Sequence, residues 1–91
     1  MKVVYPVIFT DVEDNILIEV PDLEICTEAN DARKKKGTLA DAVAMARDAI
    51  GLCCVFREDE KWAIPNPTNI EEVDIRKGAF YGEGKSFVSL V

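Results

Sequence analysis

One stretch of this chain carries a long helical period, and the segments on either side of it cannot be helical. Leu39, Ala42, Val43, Ala46, Ala49, Ile50 and Cys53 recur at spacings of three and four, which draws one continuous stripe along a helix. Thr38 is a good N-cap, and Asp41 three residues on supplies the acid of a capping box. The spacing predicts a helix from Leu39 to about Phe56 that frays through "REDEK". Its stripe is unusually small, with Ala42, Ala46 and Ala49 in the contact positions, so the helix is expected to lie flat on a sheet. Gly51 inside the helix costs about 1 kcal/mol relative to alanine, and a close approach to the sheet is the expected reason for it.

The flanking segments supply that sheet. "VYPVIFT" and "ILIEV" are rich in β-branched and aromatic residues and are separated by the polar turn "DVEDN", so Tyr5–Thr10 and Ile16–Val20 read as an antiparallel hairpin. Asn15 is the residue of that turn expected to tolerate left-handed geometry. Pro6 cannot donate to a ladder, so its strand should be locally at an edge or bulged there. "PD" turns the chain again, and "LEICT" reads as a third strand with Leu23, Ile25 and Thr27 on one side. "EANDARKKKG" is a loop, long for such a connection. After the helix, "WAIPNPTNIEEV" is extended by Pro65 and Pro67, "DIRKGAFYGEGK" is irregular or a weak edge strand, and "SFVSLV" is a strong final strand. The expected fold is therefore α+β, in the order β-β-β-α-β, with one helix on one face of a mainly antiparallel sheet and the last strand returning beside an earlier one. Because the chain stops within that apolar strand, the natural protein is expected to continue.

Composition narrows the function classes. Ninety-one residues suit one small domain with a thin core. No apolar run approaches the roughly 20 residues needed to cross a bilayer, and the N-terminus lacks the pattern of an export signal, so a cytoplasmic location is expected. Seventeen acidic against eleven basic residues give a net charge of −6. That balance disfavours a general nucleic-acid binder and fits a basic partner, since complementary fields steer association. There is no histidine, which removes the usual nucleophile pairs and the usual acid/base. Cys26, Cys53 and Cys54 are an odd number without metal-ligand spacing and are expected to be small core hydrophobes. Neither a cofactor nor a metal is expected.

Four stretches, taken in order, resemble the HicB family of antitoxins from type II toxin–antitoxin systems. They are "YPVIFTDVEDNILIEVPDLEICTE", "GTLADAVAMARDAI", "AIPNPT" and "SFVSLV", which together span nearly the whole chain. The matches are to a Y-P-x-x-F strand and P-D-L turn, a T-L-x-x-A helix, an I-P-x-P hinge and a valine-rich last strand. Ile25 stands where a glycine is common, Gly37 where an aspartate is common, and "EANDARKKKG" is longer than the usual strand-to-helix connection. The resemblance implies a partial ribonuclease H-like domain of β-β-β-α-β order. It also implies a non-enzymatic role, in which the protein binds a small basic HicA-like ribonuclease and masks its active site. Family members often add a C-terminal DNA-binding domain, which these residues do not contain, so no direct nucleic-acid contact is expected from this domain.

On that reading, exposed carboxylates should stand in for RNA phosphates. The candidates are Asp11, Glu13 and Asp14 in the first turn, Asp22 and Glu24 in the second, and Glu58, Asp59 and Glu60 after the helix. Trp62 and Tyr81 are the candidate apolar anchors, because aromatics dominate interface energetics. For any one carboxylate, an ordinary solvated turn residue is the simpler reading. For the two aromatics, cover over the sheet edge is an equal alternative. Small exposed sheets also invite pairing of their edges, so self-association is expected. Three other readings remain. An orphan module of the same family would oligomerise or sense a ligand without a toxin. A magnesium nuclease would need Asp11 to converge with Asp41 or Asp48. A nucleic-acid contact would rest on Arg33 and Lys34–Lys36, which lack interleaved aromatics and read instead as a mobile loop or as partners of Asp31 and Glu28.

Overall fold

The computed structural model describes residues 4–29 and 37–91. Strand β1 (Pro6–Asp11) and strand β2 (Ile16–Val20) form the expected hairpin. A short 3-10 turn, Pro21–Leu23, then leads into β3 (Ile25–Glu28). Helix α1 spans Leu39–Asp59 and β4 spans Lys85–Leu90. The four strands lie in the order β3-β2-β1-β4, and every neighbouring pair is antiparallel. The chain is thus a small α+β unit with one helix packed on a four-stranded antiparallel sheet.

Side chains alternate between the two faces of a strand, so the register sorts this sheet cleanly. Val7, Phe9, Ile16, Ile18 and Val20 are buried on the helix side, where Ala42, Ala46 and Ile50 meet them. Alanine at the contact positions lets the helix backbone approach the sheet. Phe9 and Phe87 stack across β1 and β4 with ring centroids 5.5 Å apart. At the start of α1 both arms of the capping box are made: the Asp41 N–H donates to Thr38 Oγ1 at 3.1 Å, and the Thr38 N–H donates to Asp41 Oδ2 at 2.9 Å.

The segment between α1 and β4 is what makes β4 antiparallel. The helix returns the chain to the end of the sheet where Tyr5 and Val91 exchange backbone hydrogen bonds of 3.0 Å. An antiparallel β4 must begin at the opposite end, beside Asp11. Trp62 and Ile64 still pack on the helix side; from Thr68 onward the chain runs back along the sheet's other face, through 3-10 turns at Ile70–Glu72 and Ile75–Lys77. This strap covers Pro6, Ile8 and Thr10. Tyr5 donates its hydroxyl to the Pro65 carbonyl, Thr68 binds Asp22, and the Ala79 N–H donates to Glu19 Oε1 at 2.9 Å. Gly84 passes so close to β1 that an added Cβ would lie 2.1 Å from the Asp11 carbonyl oxygen, so only glycine fits.

Several expectations need correction. Leu39 is exposed. Gly51 makes no close approach: an added Cβ there would meet nothing within 4 Å. Leu23 belongs to the 3-10 turn rather than to β3, and the left-handed residue nearby is Glu24. Asn15 is not left-handed. It is buried, with Oδ1 accepting the Ile16 N–H at 2.8 Å and Nδ2 donating to Glu28 at 3.1 Å. Cys26 shares the strap-side face with Glu19, its cross-strand neighbour, and is exposed rather than core. Cys53 and Cys54 are partly buried against the core. Pro6 is locally at an edge, as expected: its partner on β4 is Leu90, and the β1–β2 register begins only at Ile8. The Arg33–Lys36 stretch and the loop around it lie outside the described residues, but the residues that flank them are adjacent. A Cβ on Gly37 would sit 2.8 Å from that of Ala29, which accounts for glycine there.

Candidate functional site

A helix of 21 residues is about 32 Å long, whereas strands of four to six residues span about 13 to 20 Å. Helix α1 is therefore longer than the sheet. Its outward face carries a cluster of apolar side chains left in solvent, whereas Cys53 and Cys54 at the same level pack on the core. Leu52 is 74% exposed, and Val55 and Phe56, three and four residues further on, are 57% and 51% exposed.

The helix does not fray after Phe56. It continues to Asp59 and closes with a Schellman motif. The Trp62 N–H donates to the Arg57 carbonyl at 2.7 Å, and the Lys61 N–H donates to the Glu58 carbonyl at 3.1 Å. Lys61 occupies the left-handed position at φ 56°, where glycine is usual. The reversal swings Trp62 back onto the helix, and its ring meets Phe56 edge-on at 5.3 Å and 83°. Arg57 fixes the outgoing chain by donating to the Ala63 carbonyl at 3.1 Å. Glu58, Asp59 and Glu60 stand at this helix end and are all exposed, with Glu58 on the side of Cys54 and Val91. A helix C-terminus carries a partial negative charge and favours cations, so three carboxylates there work against the helix. Among the last-turn residues, Arg57 alone is basic.

The ten candidate residues do not form one surface. Asp11, Glu13 and Asp14 sit at one end of the sheet, with Tyr81 in the turn that leads to Gly84 and β4 beside them. The helix end and the Asp22 turn lie at the other end, near Tyr5. Six residues of β1 separate the two groups, about 20 Å. Asp22 is occupied: its carboxylate accepts both the N–H (2.8 Å) and the hydroxyl (2.6 Å) of Thr68. It is a staple for the strap rather than a free phosphate mimic. Asp11 is the cross-strand neighbour of Lys85. Glu24 is exposed in its left-handed turn. Trp62 and Tyr81 are both more than half exposed.

Two other places have some chemical character. A cleft of about 250 Å³ under the strap is lined by Glu19, Asp22, Glu72, Asp74 and Lys77. Three of its acids are already engaged, Glu19 with the Ala79 N–H, Asp22 with Thr68 and Asp74 with Arg76. The hydrogen-bonded Arg76 holds the Asp74 carboxyl below its usual range. Behind the helix end, burial pushes the Tyr5 phenol and the Cys54 thiol up from their ordinary values, as it does the Cys26 thiol on the strap-side face. Raised thiols are poor nucleophiles at neutral pH. Among the described residues, no group of three or more histidine, cysteine, aspartate or glutamate side chains is placed to hold a metal ion. Asp41, one acid weighed for a metal site, is committed to capping α1. No helix among the described residues is long and apolar enough to cross a membrane.

Sequence reasoning found Glu58, Asp59, Glu60 and Trp62 but missed Leu52, Val55 and Phe56. They stand off the alanine stripe at their own helical spacing, and that second stripe was the available signal. No family model, curated protein or solved structure matches this chain.

Proposed function

We propose that this chain is an antitoxin of the HicB type, with a partial ribonuclease H-like domain, that binds a small basic HicA-like ribonuclease and masks its active site without being an enzyme itself. The β-β-β-α-β order agrees with the one that the sequence resemblance implies. The observation that carries the reading is the end of α1. There exposed apolar side chains (Leu52, Val55, Phe56, Trp62) stand at the same helix end as the exposed carboxylates Glu58, Asp59 and Glu60. Apolar anchors supply binding energy, and a rim of one charge sign steers and selects the partner. The three acids also oppose the helix dipole, a stability cost that a basic partner would offset on binding.

The experiment is co-expression with a short basic ribonuclease encoded beside this chain. Growth arrest by the ribonuclease should be relieved by the wild-type chain. Phe56→Ala with Trp62→Ala, or Glu58→Lys with Asp59→Lys and Glu60→Lys, should abolish relief while leaving the chain folded by circular dichroism. Full relief by both variants would sink the assignment of this surface. A wild-type chain that binds no such ribonuclease would leave the orphan oligomerising or ligand-sensing module as the better reading.

A further inference from the structure

The two edges of the sheet are built differently. Strand β3 has four residues, follows a left-handed Glu24, and carries Glu28 beside the cross-strand pair Cys26–Glu19. Short length and charge are the usual protections of an edge against pairing. Strand β4 has six residues, and from Ser86 to Leu90 it carries no charge, no proline and no glycine. Lys85, its one charged residue, lies at the end, opposite Asp11.

The unpaired backbone groups of β4 can be identified. Tyr5 and Val91 exchange both of their hydrogen bonds. Antiparallel ladders alternate bonded and non-bonded pairs, so Val7–Ser89 and Phe9–Phe87 are bonded pairs in the same ladder. The N–H and C=O groups of Ser86, Val88 and Leu90 then point away from β1. They have no backbone partner among the described residues, and no strand lies beyond β4. Leu90 is 52% exposed and Phe87 39%.

We propose that β4 is the self-association edge of this protein: two copies join antiparallel, β4 to β4, about a two-fold axis at Val88. The pairing sets Val88 against the second copy's Val88 and Ser86 against its Leu90, which satisfies every outward group from Ser86 to Leu90. Paired residues share a face, so both helices lie on one side of the continuous sheet and both straps on the other. The occupant is a second copy because the strand is self-complementary in length and charge. Two chains of net charge −6 meet best through a strand that carries no carboxylate of its own, and β4 is such a strand. The two Lys85 side chains end up about 20 Å apart, at about 3.3 Å per residue, well beyond the screening length of about 8 Å. Beside the strand, Val91 shares a groove of about 350 Å³ with Ile50, Gly51, Cys54 and Val55 of α1. This proposal does not depend on the identity of any toxin, and its pairing contacts are made by β4 rather than by the end of α1.

The test uses the chain alone, in sedimentation velocity. Wild type should run as a dimer, and V88E and V88K should each run as monomers, because each places like charges face to face on the axis. An equal mixture of the two variants should recover the dimer. Residue-resolved amide exchange on the wild type gives a second readout that needs no substitution. The Ser86, Val88 and Leu90 amides should be protected at high concentration and lose protection on dilution, while Phe87 and Ser89 stay protected throughout. A wild type that stays monomeric up to about 100 μM, or variants that dimerise as well as wild type, would overturn the proposal. So would outward amides that gain protection only when a basic ribonuclease is added, since the edge would then belong to another protein.

Discussion

The two halves of α1 obey opposite rules. The first half has a complete capping box, buries Ala42 and Ala46 against the sheet, and places its acid, Asp41, where the dipole favours it. The second half still packs Ile50, Cys53 and Cys54 on the core, but it leaves Leu52, Val55 and Phe56 in solvent, gathers three acids where the dipole disfavours them, and closes through a lysine in a left-handed conformation. In the second, local rules are broken repeatedly on one patch, as happens where a surface is kept for binding.

This contrast can be broken by substitution. The largest effect should come from Ala46→Leu, which forces side-chain atoms into a contact with no free space and should cost about 1–3 kcal/mol, read from denaturant unfolding. If Leu52→Ala costs as much, the outward face is core after all; it should change stability by less than about 0.5 kcal/mol while weakening the proposed toxin complex. Thr38→Ala removes one arm of the capping box and should lower stability by about 1 kcal/mol, with amide exchange increasing first in the opening turn of α1. On the outward face, Gly51→Ala should raise stability by up to about 1 kcal/mol, because the added methyl meets nothing. Reversing Glu58, Asp59 and Glu60 to lysine should stabilise slightly, by a few tenths of a kcal/mol per residue at low ionic strength, an effect that fades with salt. A variant that gains stability as it loses its partner would be the sharpest support for the contrast. Loss of both would mean that these acids are structural.

How much was legible in advance follows the range of the interactions. The hairpin, the N-cap and the alanine stripe could be read because each is encoded within a few neighbouring residues. Gly51 was misread because its meaning depends on whether a surface lies opposite, and none does. Asp22 looked like a free carboxylate in a turn. Its partner Thr68 is 46 positions away, and no local pattern announces a contact at that distance. Cys26 was assigned to the core on residue type alone, whereas the register with Glu19 puts it on the other face.

The sequence by itself determined the kinds of element and their order, since helical and strand periods and capping residues are local properties of the backbone. It also determined what the chain cannot use, most clearly histidine chemistry. Only the tertiary structure decided that the chain from Thr68 to β4 crosses the far face of the sheet. That path makes β4 antiparallel to β1, fixes Gly84 against Asp11 and leaves β4 as an edge of the described sheet. It also decided which face of α1 meets the sheet, and so left Leu52, Val55 and Phe56 in solvent. Both outcomes depend on lengths and contacts compared between distant parts of the chain, which no single stretch of sequence contains.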